Sequence, residues 1–359
     1  MHRVFSRSRP TPSYRRSSSF RSRQRKVIFS GIQPTGVPHL GNYLGALVNW
    51  VHLQKASQPD DQLIYSVVGL HAITLPQDPA QLRQEKRAAM ATLLAIGIDP
   101  TRSILFHQDE VSEHAELAWI LGCLAPLGRL NRMTTYKAKI STGKTDERLG
   151  LFSYPVLQAA DILLYKATHV PVGEDQRQHL ELTRDLAQAF NQQFRAETFH
   201  LPQDIITPSK RIFSLRDSSQ KMSKSAADPK SRIGLTDTAD EIALKIRKAI
   251  TDSSHEIVWD PKDRPGVSNL LTILHACTTD PALDTSATAE FRNTSLVDFK
   301  SRVAEAVESR VAPIRSEFHR LNSDEGYIQS VSRNGAERAR SIASRTLQEV
   351  KSRIGLEAI

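Results

Sequence analysis

The sequence predicts an α/β fold, with a doubly wound parallel sheet followed by an all-helical C-terminal region. From Val27 onwards, short apolar runs at residues 27–31, 62–70, 104–108 and 169–173 alternate with longer stretches of helical periodicity. After residue 231 the strand-like runs fade, and two long amphipathic patterns follow at 297–321 and 334–352. Strands separated by helices pair in parallel, which gives the predicted sheet its class.

Apolar residues at helical spacing predict the helices between the strands. The stretch after the first strand carries its apolar residues at helical spacing, at Leu40, Leu44, Leu47, Val48 and Val51. The stretch after the fourth strand does the same, with Leu182, Leu186, Ala189 and Phe190. Crossovers of this kind cover both faces of a sheet, so we expect ligands at the carboxyl ends of the strands.

The chain divides into four parts by these patterns, and the first is the segment 1–26. The sheet domain spans 27–216 and contains a mostly helical, apolar insertion at about 112–165. A small polar loop at 217–232 links it to a helical domain at 233–359. The insertion is read either as crossover helices or as a helical hairpin that buries itself against a second subunit, and the sequence leaves both readings open.

The charge of the chain is concentrated at its start. Lysine and arginine number 48 against 39 acidic residues, for a formal charge of +9. Residues 1–26 hold nine of the basic side chains and no acidic one, so the remainder is balanced at 39 against 39. An Arg- and Ser-rich, acid-free segment predicts a cleavable transit peptide for import into the mitochondrial matrix. A basic arm that grips RNA is the alternative.

Several classes of protein are excluded by composition. No apolar run approaches the roughly 20 residues of a membrane span, so we expect no membrane partner. The only cysteines, Cys123 and Cys277, lie far apart and have no partner at metal-ligand spacing. We therefore predict neither a disulfide framework nor a protein-held metal.

The loop after the first strand has the composition of a phosphate site. Residues 30–42 read SGIQPTGVPHLGN and open into the Leu44 helix. Glycines at 31, 36 and 41 allow a ligand to approach the backbone, and the helix start presents free N–H groups. His39 and Asn42 lie one turn apart and can donate to one phosphate. An ordinary glycine-rich turn with a surface histidine is the alternative.

A second polar loop follows the strand-like run at 211–215. Residues 220–229 read QKMSKSAADP, with lysines at 221 and 224. Two lysines three positions apart suit a mobile loop that closes on a polyphosphate and neutralises charge on a leaving group. A solvated basic loop would explain either feature alone, but the two loops together favour a nucleotide site.

These loops resemble the two signatures of class I aminoacyl-tRNA synthetases. The sequence PHLGN at 38–42 is similar to the first signature, and KMSKS at 221–225 matches the complete second one, 179 positions after Asn42. The segments FSGIQPTG at 29–36, AADILLY at 159–165, VGEDQ at 172–176 and QHLELTRD at 178–185 resemble the tryptophanyl branch. The resemblance covers the chain from Val27 to about Gly355.

The resemblance implies a Rossmann-like catalytic domain at 27–216 and a tRNA-anticodon-binding domain at 233–359. It implies ATP, Mg²⁺ carried by the ATP, L-tryptophan and tRNA(Trp) as ligands, a homodimer, and catalysis by Lys221, Lys224, Gln33, His39 and Asn42. The implied nucleotide-binding residues are Gln33, Pro34, Thr35, Gly41, Asn42, Lys137, Lys139, Gly173, Glu174, Asp175, Ile212, Lys221, Met222, Ser223, Lys224 and Ser225.

The implied tryptophan site centres on Asp161. An indole ring is a large apolar body with one N–H donor, so a selective pocket needs apolar walls and one buried acceptor. The resemblance makes Asp161 that acceptor, with a wall at Phe29 and Gln158 and the amino group held by Tyr154 and Gln176. An aspartate that is exposed or paired within the protein is the alternative reading of Asp161.

Two departures from the family pattern stand out. Asn42 replaces the second histidine of the first signature, as is usual in the tryptophanyl branch. Gly69 stands where many relatives carry an acidic residue, close to His71, which we read either as a substrate contact or as a core histidine. The rival functions are a tyrosyl-tRNA synthetase of the same class and a non-catalytic RNA-binding relative.

Overall fold

The computed structural model describes residues 25–134, 148–173, 176–206, 211–224, 226–254, 256–278, 291 and 293–357. Five strands lie at its centre: β1 (Val27–Ile32), β2 (Gln62–Val67), β3 (Ser103–His107), β4 (His169–Val172) and β5 (Gln203–Ile206). They form one parallel sheet in the order β3, β2, β1, β4, β5. The predicted α/β class with a parallel sheet is confirmed.

Helices connect the strands and continue beyond them. In chain order the α-helices are α1 (Leu40–Asn42), α2 (Val48–Ala56), α3 (Gly69–Ala72), α4 (Pro79–Ala95), α5 (Glu113–Gly122), α6 (Leu127–Leu130), α7 (Leu149–Leu163), α8 (Arg177–Gln193), α9 (Ala239–Arg247), α10 (Pro265–Cys277), α11 (Leu296–Ser323) and α12 (Glu325–Ile354). A π-helical turn at Tyr43–Leu47 joins α1 to α2, and 3₁₀ turns occur at Gln108–Glu110 and Pro229–Ser231. The two long C-terminal helices start earlier and end later than their sequence patterns indicated.

The strands differ from the sequence prediction in three places. The run at 62–70 ends as a strand at Val67, because Gly69–Ala72 turns into α3. The run at 211–215 does not join the sheet: Phe213 makes an isolated antiparallel bridge with Lys221. The side chain of Asn269 accepts from the Phe213 amide at 2.9 Å and donates to its carbonyl at 3.1 Å, so that backbone is satisfied away from the sheet. The edge strand β5 was not predicted.

Both faces of the sheet are buried under helices. Along β2 and β3 the side chains alternate between two apolar cores, with Leu63, Tyr65 and Leu105 in one and Ile64, Ile104 and Phe106 in the other. The first core includes residues of α4 and α11, and the second includes residues of α5, α7, α8 and α12. Strands buried on both faces explain the continuous apolar runs of the sequence.

The last helix packs directly on the edge strand β3. Gly335 of α12 meets the backbone of Leu105 so closely that a Cβ at this position would overlap the Leu105 carbonyl. Next to this contact, Ser332 Oγ lies 2.7 Å from His107 Nδ1, and Arg338 donates to the carbonyl of Pro100 at 2.8 Å. The last helix thus covers an edge that would otherwise be open. The domain boundaries given above stay predictions.

Candidate active site

A cavity of about 490 Å³ opens at the carboxyl ends of β1 and β4. These neighbouring strands lie where the strand order reverses, which is the expected ligand position in a doubly wound sheet. The cavity is lined by β1 and the loop after it, by β4, and by side chains from α3 and α7: Phe29, Ser30, Gly31, Gln33, Val68, His71, Tyr154, Gln158, Asp161, Ile162, Val170, Pro171, Val172, Gly173 and Gln176.

Asp161 is the buried charge of this cavity. The residue is only 2% exposed, and three side chains contact its carboxylate. Oδ1 lies 2.6 Å from Gln108 Nε2 and 2.6 Å from His114 Nδ1, while Oδ2 lies 2.7 Å from His71 Nε2. A carboxylate offers about four lone-pair directions, so three partners leave room for one more donor at Oδ2. Asp161 is therefore paired within the protein and still faces the cavity.

The partners keep this carboxylate ionised. Burial alone would raise the pKa of Asp161, but the adjacent His71 and His114 outweigh it and lower the pKa to about 2. An ionised carboxylate only accepts hydrogen bonds, so His71 Nε2 and His114 Nδ1 carry protons toward it. The other nitrogen of His114 lies 2.8 Å from the hydroxyl of Tyr165.

The remaining walls of the cavity combine aromatic and amide groups. Phe29 is stacked on Tyr165 with ring centroids 5.5 Å apart. The hydroxyl of Tyr154 lies 2.9 Å from His179 Nε2, and Gln158 Nε2 donates to Gln176 Oε1 at 3.4 Å. The structure thus brings together all six residues predicted for the substrate end, from Phe29 on β1 to Gln176 before α8. Their roles stay predictions.

The first loop is shaped by a reciprocal pair of hydrogen bonds. His39 precedes α1, and its Nδ1 accepts from the Asn42 amide at 3.2 Å. Asn42 Oδ1 accepts in turn from the His39 amide at 3.3 Å. This capping box fixes both side chains and leaves the proton of His39 on Nε2. Of the other predicted residues here, Pro34 and Gly41 are buried, whereas Gln33 and Thr35 are exposed.

The second loop lies against the first. Lys224 Nζ donates to the carbonyl oxygens of Thr35 at 2.6 Å and Gly36 at 2.7 Å. The Leu40 amide donates to Ile233 at 2.7 Å, and the Leu235 amide donates to Pro38 at 3.2 Å, so the chain beyond the loop also pairs with the segment 38–40. Met222 is buried beside Gly41, Ser223 is half-buried, and Lys221 is exposed. The two motifs therefore form one continuous surface.

This surface lowers the pKa of two of its basic groups, Lys224 and His39. Burial lowers the pKa of Lys224 to about 8, although Glu85 acts against the shift, and Arg232 lowers it further. Burial and the positive charges of Lys224, Arg232 and Lys221 lower the pKa of His39 to about 4. His39 is therefore neutral at neutral pH and donates from Nε2, while Lys224 remains largely protonated. Both are donors suited to an anionic ligand.

One predicted residue lies behind this surface, and others cannot be placed. Ile212 is buried in the apolar core, and its carbonyl accepts from the Met222 amide of the second loop, so its contact with the base stays a prediction. Five predicted residues lie outside the described part of the chain: Lys137, Lys139, Glu174, Asp175 and Ser225. Within the described part, no group of three or more His, Cys, Asp or Glu side chains could hold a metal ion.

The prediction missed the residues that support Asp161. Gln108 follows the last residue of β3, and His114 lies on the first turn of α5. Gln108 had one sequence signal, its position at the carboxyl end of a buried strand. His114 lies in an apolar helical stretch and carried no signal that separates it from a surface residue.

The depressed pKa of His39 predicts a specific dependence of stability on pH. The unfolded chain takes up this proton near pH 6.5, whereas the folded chain takes it up only near pH 4. Stability is therefore lost as the pH falls from about 6.5 towards 4.

A His39→Asn variant retains a cap and lacks the titration. Between about pH 7 and pH 4.5 the free energy of unfolding of this variant should fall by roughly 1 to 3 kcal/mol less than that of the wild type, as measured by urea unfolding. Exposed His52→Asn is the matched control and should follow the wild type; parallel curves for all three proteins would contradict the assignment.

Comparison with known proteins agrees with this geometry. Residues 21–312 match the family model described as tRNA synthetases class I (W and Y). Tryptophan--tRNA ligase of Wolinella succinogenes is 47% identical over 92% of this chain and 99% of its own length. The mitochondrial tryptophan--tRNA ligase of Schizosaccharomyces pombe is 42% identical over 92% of this chain and 95% of its own.

A solved structure extends the likeness to three dimensions. Tryptophanyl-tRNA synthetase of Campylobacter jejuni, determined with ADP and tryptophan, is 32% identical and superposes with a TM-score of 0.78. The match covers 92% of this chain and all of that protein. The sequence likeness, the shared fold and the two signature loops together show that the chain belongs to the tryptophan--tRNA ligases of the class I aminoacyl-tRNA synthetase family.

Proposed function

We propose that the protein activates L-tryptophan with ATP and transfers it to tRNA(Trp). The observation that carries this proposal is the buried, ionised Asp161, which faces the cavity with one acceptor direction left and aromatic walls beside it. An apolar ring with a single N–H donor complements such a site. Tyr154 and Gln176 lie at the same cavity, where they can hold the amino group of the substrate, and Gln158 lies in its wall with Phe29.

The nucleotide is assigned to the surface formed by the two loops. We assign its phosphates to the loop at 33–42, with His39 Nε2 and the start of α1 as donors, and the pyrophosphate to Lys221, Lys224 and the intervening Met222 and Ser223. Lys224 reaches the backbone of Thr35 and Gly36, so exchanging these carbonyls for phosphate oxygens needs little movement of the lysine. Gly173 lies at the cavity edge, on the proposed ribose side. Mg²⁺ would arrive on the ATP.

The assignments outside the described residues rest on the family resemblance alone. Lys137, Lys139 and Ser225 are proposed to contact phosphates, and Glu174 and Asp175 the ribose and adenine side. The contact of Ile212 with the base is likewise proposed from the resemblance, and its carbonyl accepts from the Met222 amide of the second loop.

The charges of the reacting groups determine what the protein must do in the proposed reaction. The tryptophan carboxylate attacks the α-phosphorus of ATP, the bond to the bridging oxygen breaks, and pyrophosphate leaves. Both nucleophile and leaving group are anions, so positioning and charge neutralisation do the catalytic work and no general base is required. A ribose hydroxyl of the terminal adenosine of tRNA then attacks the carbonyl of tryptophanyl-adenylate, forming the ester and releasing AMP.

The organellar setting and the dimer belong to the same proposal. The acid-free basic segment at 1–26 and the likeness to a mitochondrial relative support import into the mitochondrial matrix. Trp119, Leu127 and Leu149 are exposed by 76%, 68% and 78%, and such apolar groups on the insertion support a subunit contact. Within the described residues, no helix is both long and apolar enough to cross a membrane.

The targeting proposal has a direct test. The mass of the protein isolated from its organelle should correspond to a chain that begins near Lys26, because the segment before it is removed after import. An organellar protein that still begins at Met1 would refute the cleavable peptide.

Sedimentation of the same material should give the mass of two chains, and a single-chain mass would refute the dimer.

The activity is tested by amino-acid-dependent exchange of pyrophosphate into ATP. A chain starting at Lys26 should exchange with tryptophan and show at least about a hundredfold lower kcat/KM with tyrosine or phenylalanine, because a mismatched ring leaves a buried polar group unpaired. Asp161→Ala should abolish most of the tryptophan signal. Exchange driven by tyrosine would instead support the tyrosyl alternative, and no exchange with any amino acid would support the RNA-binding alternative.

A further inference from the structure

Gly69 and Asp109 occupy one site behind the tryptophan cavity. Gly69 begins α3, and Asp109 is the middle residue of the 3₁₀ turn after β3. A Cβ built on Gly69 would lie 2.5 Å from Asp109 Oδ1 and 3.3 Å from its Cγ. Atoms without a bond between them do not approach this closely, so a side chain at position 69 would require the Asp109 carboxylate to move.

The Asp109 carboxylate is held in this place from the other side. Its Oδ2 pairs with Lys86 Nζ of α4, and the Lys86 stem passes 3.8 Å from the position of the missing Cβ. The two side chains are 33% and 21% exposed, and an ion pair with this exposure adds little stability by itself. Its effect is geometric, because Lys86 fixes where the Asp109 carboxylate meets α3.

The residues next to this contact hold Asp161. Gln108 precedes Asp109, and its Oε1 accepts from the Leu70 amide at 3.1 Å while its Nε2 donates to Asp161 at 2.6 Å. His71 lies two residues after Gly69 and donates to the other oxygen of Asp161 at 2.7 Å. The start of α3 and the 3₁₀ turn therefore contact each other at two adjacent points, Gly69 with Asp109 and Leu70 with Gln108. Each of the two elements also supplies one donor to the Asp161 carboxylate.

We propose that Asp109 is a positioning residue for the tryptophan pocket. Its carboxylate sets the separation between α3 and the 3₁₀ turn, and this separation places His71 and Gln108 on Asp161. One carboxylate fits the site, supplied from position 69 or from position 109, but two do not. The inference rests on the proposed function, since it assumes that this cavity holds tryptophan.

The test is an exchange of the carboxylate between the two positions. Gly69→Asp puts two carboxylates into one site, and Asp109→Ser removes the only one. Each should raise the KM for tryptophan roughly tenfold in pyrophosphate exchange, since small displacements of positioning groups have large effects, with the KM for ATP within about twofold. The double variant has one carboxylate again, and its KM for tryptophan should return to within about threefold of the wild type. Gly326→Asp, at an exposed glycine whose added Cβ would meet no atom closer than 3.8 Å, is the matched control and should change neither KM.

If the wild type shows tryptophan-dependent exchange, either of two results would overturn the inference. In the first, the double variant binds tryptophan no better than the poorer single variant. In the second, both KM values rise together and the unfolding midpoint falls in parallel, which is the behaviour of general destabilisation. A wild type without tryptophan-dependent exchange would overturn the proposed function as well, so the two failures are distinguishable.

Discussion

The arrangement of the site depends on keeping one charge, that of Asp161, inside the protein. An ionised carboxylate that is 2% exposed costs several kcal/mol unless donors replace the water that it lost. Here the donors come from three separate elements: His71 from α3, Gln108 from the end of β3 and His114 from α5. Removing His71 would leave Oδ2 unpaired, and removing Gln108 or His114 would leave Oδ1 with one donor instead of two. The requirement to satisfy Asp161 therefore fixes these elements against α7.

The same constraint divides the site into two electrostatic halves. At the cavity end, the negative carboxylate of Asp161 has an acceptor direction left for a neutral donor, and aromatic rings lie around it. At the loop end Lys224 and the neutral His39 present donors to anions. The strand order brings the halves together, because β1 supplies Phe29 to the cavity and continues into the loop that carries His39. A substrate carboxylate at the boundary would face the phosphate side, as the proposed reaction requires.

The sequence predicted the parts of this arrangement that are local. The apolar runs of β1 to β4 and the C-terminal helices are contiguous patterns, and the elements predicted from them are confirmed by the fold. The signature loops are contiguous patterns too, and the roles predicted for them stay predictions. The strand β5 was missed because QDII carries neither a long apolar run nor alternation. The run at 211–215 has strand composition, but its backbone finds its partners in Asn269 and a short bridge.

Contacts between distant residues were not predictable in the same way. His71, Gln108 and His114 lie 90, 53 and 47 positions before Asp161. Only the fold shows that all three converge on it. Gly69 illustrates the same limit, since the sequence marks it as a departure from the family pattern and only the structure reveals that the carboxylate of Asp109 occupies the space beside it. The packing of α12 on β3 through Gly335 is equally non-local.

The most direct test of the central claim compares tryptophan with its analogue in which sulfur replaces the indole N–H. Calorimetry on the wild-type protein gives both dissociation constants without altering the site. If the ionised Asp161 accepts a hydrogen bond from the indole N–H, tryptophan should bind at least about tenfold more tightly, because a hydrogen bond to a charged acceptor contributes roughly 1.5 to 3 kcal/mol. Equal affinity for the two ligands would show that Asp161 serves only to hold the protein together.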